Sequence, residues 1–175
     1  MSYAHIPLGE KAPQEINVVI GIPAGSSVKY EYDEELDAIV FDRLLYSPMF
    51  YPTNYGFAPE TRSGDGDHLD VLVYATVPLT TGTIVKARVI GALDMTDDAG
   101  VDTKIIAVAV KDPYFKEKKD LDSLEPHALK ALKHFFEVYK DLENKEVNVG
   151  GFKTATEAHK LVEEGVAAYA AEHHE

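Results

Sequence analysis

Thr83-Ile84-Val85-Lys86-Ala87-Arg88-Val89-Ile90-Gly91-Ala92-Leu93 and Lys104-Ile105-Ile106-Ala107-Val108-Ala109-Val110 are two long apolar, β-branched runs, which read as strands. The stretch between them, Asp94-Met95-Thr96-Asp97-Asp98-Ala99-Gly100-Val101-Asp102, is an acidic turn with no helical period. Outward from this pair, Ile16–Ile22, Val28–Tyr32 and Ala38–Phe41 have strand composition, as does the run ending Asp70-Val71-Leu72-Val73. Because no helix separates the strands, a doubly wound α/β fold is disfavoured. Five or more strands followed by terminal helices point to a closed, strongly twisted barrel with helices outside it.

Two helices finish the chain. The first opens at Pro126, carries Leu129, Leu132, Phe136 and Tyr139 on one stripe, and stops near Asn144. The second opens with Thr154 and Glu157 at capping-box spacing, with Ala158, Leu161, Val162, Val166 and Tyr169 as its apolar stripe. The tail Glu172-His173-His174-Glu175 reads as a frayed terminus in preference to a metal site.

Gly64-Asp65-Gly66-Asp67-His68-Leu69-Asp70 puts three carboxylates within six residues, immediately before a buried strand. Carboxylates about 5 Å apart repel by roughly 3 kcal/mol per pair at an effective dielectric near 20, so a partly buried cluster needs protons or cations. The oxygen-only donors suit a hard cation such as Mg²⁺ or Mn²⁺. A calcium loop of the EF-hand kind fails, because Leu69, Asp70 and Thr76 fall where an oxygen ligand, the turn glycine and the closing glutamate belong. A solvated acidic turn is the alternative, and these residues alone do not separate the two. Period two puts Lys29 and Glu31 on one strand face and Tyr30 on the other, and Asp102 and Lys104 likewise share a face. Each pair reads either as an exposed charge pair or as part of a site.

A chain of 175 residues is read as one domain, 1–175. The absence of cysteine excludes disulfides, thiolate zinc sites and cysteine nucleophiles. The N-terminal residues lack a basic segment followed by an apolar one, and no apolar run approaches the roughly 20 residues of a membrane span, so a soluble, cytoplasmic protein is expected. The formal charge of −13 disfavours nucleic acid and anionic membrane as partners. It also repels a small anionic substrate, unless metal ions and a few Lys and Arg side chains reverse the potential locally.

These stretches, with Lys29-Tyr30-Glu31, Asp42-Arg43, Phe50-Tyr51-Pro52-Thr53-Asn54-Tyr55-Gly56, Met95 to Lys104 and His134-Phe135-Phe136-Glu137-Val138-Tyr139-Lys140-Asp141-Leu142-Glu143, resemble in order and spacing the family I soluble inorganic pyrophosphatases of bacteria. The resemblance implies an α+β, mainly β fold: a closed, five-stranded barrel like the oligonucleotide-binding fold, with flanking strands and two C-terminal helices. It implies Mg²⁺-dependent hydrolysis of pyrophosphate to two orthophosphates by in-line attack of an activated water, with Mn²⁺ or Zn²⁺ as substitutes, in a homohexamer. Asp65, Asp70, Asp97 and Asp102 look like metal ligands, and Asp67 is similar to the carboxylate that takes a proton from the attacking water. Lys29, Arg43, Tyr55, Lys104, Tyr139 and Lys140 look like the phosphate-holding set. Glu31 would support metal waters and Tyr51 would buttress Asp70 or the water network.

Two positions depart from the family's pattern. Gly21 stands in the first strand where a glutamate is usual, which predicts an active enzyme with altered magnesium or pH dependence. His68 replaces the usual proline or glutamate, and its side chain is expected to turn away from Asp67 and Asp70 as a tolerated change. The competing readings are a catalytically impaired metal- or phosphate-binding barrel owing to Gly21, and a single-strand nucleic-acid module, which would need a basic groove.

Overall fold

A computed structural model describes residues 1–173. Its backbone is a ring of five strands: β1 (Glu15–Ile22), β4 (Asn54–Ala58), β5 (Leu69–Tyr74), β8 (Lys104–Ala109) and β6 (Ile84–Asp97). Each pairs with the next and β6 pairs back with β1, so the ring closes, close to a barrel. All pairings in the ring are antiparallel except β5 with β8. Register shifts at Ile20/Ile22 and Val89/Gly91 supply the bulges that let so few strands curl. Closure also brings β1 hard against β4. A side chain at Gly56 would meet the Val19 carbonyl oxygen at 2.2 Å, so only glycine fits there.

The continuous apolar run of β8 follows from burial on both faces. Ile105, Ala107 and Ala109 join the core that includes Ala158 and Val162 of α2 (Ala155–Glu172), whereas Ile106 and Val108 join Leu132, Phe135 and Phe136 of α1 (Pro126–Val138). A separate antiparallel hairpin, β2 (Val28–Asp33) with β3 (Ala38–Leu44), lies outside the ring.

The expected barrel and both helices are present, with differences at the edges. The strand beginning near Thr83 continues to Asp97, so the acidic turn shrinks to Asp98-Ala99 before the short β7 (Gly100–Val101). The first helix ends at Val138; a single 3-10 turn, Asp141–Glu143, follows, and Asn144 is left-handed at φ 55°. A strand missed in the sequence, β9 (Asn148–Lys153), pairs with β6; its Gly150-Gly151 dilutes the strand signal. Thr154 and Glu157 do form the capping box of α2. Of the C-terminal tail, His174 and Glu175 lie outside the described residues.

Candidate active site

Between the hairpin and the ring lies a cavity of about 630 Å³. From the hairpin come Lys29 and Glu31, and from β4 comes Tyr55. The loop before β5 brings Asp65 and Asp67, and the strand itself brings Asp70. Asp97 ends β6, and Asp102 and Lys104 enter β8. Tyr139 and Lys140 arrive just beyond α1 because that helix stops early. Thus eleven of the thirteen residues given a role from the sequence line one concavity, and Gly21 and His68 line it too.

At its centre is the Lys104 ammonium. It donates to Asp70 Oδ2 at 2.6 Å, to Asp102 Oδ2 at 2.8 Å and to the Tyr55 hydroxyl at 2.9 Å. Burial opposes a charge on Lys104, but Asp70, the Tyr55 phenol and Asp102 outweigh it and hold the lysine well above its ordinary range. The two carboxylates divide under the same influence. Burial would raise both; Lys104 overrides it at Asp70, whose carboxyl stays below the usual range. Asp102 is pushed up to about 7 by burial, with Asp70 adding to the push. The exposed-pair reading of Asp102 and Lys104 is therefore wrong: period two put them on one face, and ring closure buried that face.

The acidic loop is turned by its own backbone. Ser63 N donates to Asp67 O at 2.7 Å, Gly66 N to Ser63 O at 3.1 Å, and Asp67 N to the Asp65 carboxylate at 3.0 Å. Partial desolvation raises the carboxyl of Asp65, and at Asp67 the same cause is reinforced by Asp65 and Asp70. Asp67 is exposed at the cavity surface, as a proton acceptor for a small molecule must be. Elsewhere in the lining, Lys140 Nζ lies 3.7 Å from Asp97 Oδ2; burial lowers the Lys140 ammonium, with Arg43 and Lys29 contributing.

On the hairpin, Lys29 reaches Glu31 at 3.1 Å and Asp42 at 2.8 Å. Asp42 is a participant the sequence reading quoted without assigning a role. It sits between Lys29 and Arg43, the latter at 2.5 Å, because Lys29 and Arg43 are cross-strand partners. Arg43 itself does not line the cavity. Its Nε lies 2.8 Å from Glu143 Oε1, in the turn that follows α1. Tyr51 also stays outside the lining, buried against Tyr55 and Phe135 with ring centroids 5.5 and 5.0 Å away. His68 turns into an aromatic group formed by Tyr32, Phe57 and Tyr169, with Nδ1 2.9 Å from the Thr61 carbonyl oxygen.

Among the described residues no three acidic or histidine side chains converge closely enough to cage an ion. The donors nevertheless fit a hard cation that keeps much of its water: several carboxylate oxygens face one cavity, and such an ion binds proteins through one or two of them.

A family model described as "Inorganic pyrophosphatase" matches residues 18–170. An inorganic pyrophosphatase of Saccharolobus solfataricus is 48% identical over 161 residues, 90% of this chain and 94% of its own length. One of Pseudomonas aeruginosa is 45% identical over 173 residues, 97% of this chain and 99% of its own. In three dimensions, the crystal structure of the inorganic pyrophosphatase from Thermus thermophilus superposes with a TM-score of 0.93 at 40% identity, covering 97% of this chain and 99% of that one.

Proposed function

The chain belongs to the inorganic pyrophosphatase family, and from that premise we propose how its own side chains divide the work of hydrolysis. It is a metal-dependent hydrolase of the phosphoanhydride bond, converting pyrophosphate to two phosphates. The observation that carries the assignment of roles is the gathering of charge around one cavity: Asp65, Asp67, Asp70, Asp97 and Asp102 interleave there with Lys29, Lys104 and Lys140 and with the Tyr55 and Tyr139 phenols.

Pyrophosphate carries up to four negative charges, so an attacking oxygen is repelled until cations cover the phosphoryl oxygens. Lys29, Lys104 and Lys140 supply fixed positive charge there, and Tyr55 and Tyr139 donate hydrogen bonds without adding charge. Burial raises the pKa of both phenols and keeps them protonated as donors. Arg43, one layer out and paired with Asp42 and Glu143, adds to the positive field and can exchange those partners for phosphate oxygens. Asp67 accepts the proton of the attacking water, a role suited to a solvent-reaching carboxylate whose basicity partial burial and its acidic neighbours increase. Asp65, Asp70, Asp97 and Asp102 would hold the metal, with Glu31 supporting its waters and Tyr51 buttressing the floor under Tyr55. A bound divalent cation lowers the pKa of water and screens the leaving phosphate.

Mg²⁺ is the cation the oxygen donors favour, with Mn²⁺ or Zn²⁺ as substitutes. Exposed Phe41, Tyr46 and Phe50 support assembly, and we infer a homohexamer of single-domain 1–175 chains in the cytoplasm. No described helix is long and apolar enough to cross a membrane. Nothing favours the impaired barrel, because Gly21 leaves the rest of the set in place. Phosphate release from pyrophosphate, titrated with Mg²⁺, tests the assignment: a rate that rises with the magnesium–pyrophosphate complex supports it, and one that follows free pyrophosphate counts against it.

A further inference from the structure

The cavity is formed by two bodies with no ladder between them, since β2 and β3 pair only with each other. Lys29 and Glu31 belong to the hairpin, Asp65 and Asp67 to the ring's acidic loop. The distance between these groups is therefore set by side chains, and at the hairpin's tip it is set by Glu34.

Glu34 follows directly on β2 and reaches across to the acidic loop. Its Oε1 and Oε2 accept from Arg62 Nη1 at 2.5 Å and Nη2 at 2.9 Å, a two-pronged pair. The same Oε1 lies 3.0 Å from His68 Nε2. Arg62 stands just before the loop that holds Asp65 and Asp67. The Arg62 side chain is only 10% exposed, and its Nε donates to Glu172 at 2.8 Å. An exposed ion pair contributes little to stability, but one that is two-pronged, largely enclosed on its arginine side and joins the hairpin to the acidic loop where no backbone ladder does fixes geometry.

We infer that Glu34 is a positioning residue for the hydrolysis, clamping the leading end of the Asp65–Asp67 loop to the hairpin through Arg62. This rests on the function proposed above. Misplacement of reacting groups by about 1 Å lowers rates by as much as 100-fold, so loosening the clamp acts on turnover more than on folding.

The test compares Glu34→Ala, Glu34→Gln and Glu172→Gln with the unaltered chain, reading kcat and KM for pyrophosphate, thermal melting, and amide exchange at Gly66 and Asp67. The clamp predicts that Glu34→Ala lowers kcat about 10-fold or more with KM and melting little changed. Glu34→Gln, which keeps the acceptor's size, should recover part of the loss. Glu172→Gln, which frees the far side of the same guanidinium, should keep kcat. Wild-type kcat in folded Glu34→Ala, or an equal loss in Glu172→Gln, overturns the inference. If Glu34→Ala does not fold, wild-type kcat in Glu34→Gln overturns it and reduced kcat supports it. If the unaltered chain shows no turnover, the functional reading fails, and amide exchange then decides the clamp: faster exchange in the Glu34 variants alone supports it, and unchanged exchange overturns it.

Discussion

Lys104 Nζ lies 2.6 Å from Asp70 Oδ2 in a pocket where only 3% of the lysine side chain is exposed, and it reaches Asp102 from the same position. One ammonium thus bridges two carboxylates, Asp102 buried and Asp70 partly so. Lys104→Met removes the charge while keeping much of the length. In metal-free buffer it should destabilise the fold by about 3 kcal/mol or more, the usual consequence of leaving a buried charge unpaired. Added Mg²⁺ should then raise the melting temperature of Lys104→Met by more than it raises that of the unaltered chain. Equal melting of the two proteins without metal would show that the ammonium does not hold the carboxylates together.

Much of this arrangement was legible in the sequence, for reasons that can be traced to particular residues. Period two placed Asp102 beside Lys104, and the spacing of Asp65, Asp67 and Asp70 marked the acidic loop. What local pattern could not supply was closure of the ring, which turned an apparently solvent-facing charge pair into the enclosed centre of the cavity. The same limit applies to Asp42, Glu34 and Arg62, each of which has a partner far along the chain, 13, 28 and 110 residues away. β9 escaped notice because Gly150-Gly151 has no strand preference and the strand forms only by pairing with the extension of β6.

Gly21 sits at the Ile20/Ile22 register shift of β1, but the shift does not require a glycine. Its φ lies outside the left-handed region, and a Cβ there would make ordinary contacts, 3.8 Å from the carbonyl oxygens of Tyr30 and Tyr55. Gly21→Ala should therefore fold normally and gain about 0.4–1 kcal/mol in chemical denaturation, as expected where alanine fits a glycine's conformation. Because the position lines the cavity, Gly21→Glu should shift the magnesium concentration for half-maximal rate or the pH profile. Unchanged magnesium and pH dependence in that variant would remove Gly21 from the functional account.

Asp37 ties the N-terminal arm to the hairpin turn. The Ser2 hydroxyl, the Tyr3 amide at 2.8 Å and the Tyr32 hydroxyl at 2.9 Å bring its carboxyl down to about 2. A folded-state pKa below the unfolded value near 3.8 means that the ionised group stabilises docking above that value. The contribution fades as pH falls towards 2. An NMR titration of Asp37 should give a midpoint well under 3.8, and Asp37→Asn, which also tolerates the left-handed φ of 48°, should speed amide exchange at Tyr3 near neutral pH. A midpoint at or above 3.8 would contradict this reading.

Asp67 carries the central claim, because among the described residues its side chain is committed to no ion pair or hydrogen bond, and it opens onto the cavity. Asp67→Asn keeps size and fold while removing the proton acceptor. The decisive measurement is phosphate release from pyrophosphate across a Mg²⁺ titration, for the unaltered chain and Asp67→Asn side by side. We predict magnesium-dependent release by the first and a loss of about 100- to 10,000-fold in kcat for the second, at matching melting temperatures. Equal turnover by both proteins would contradict the account.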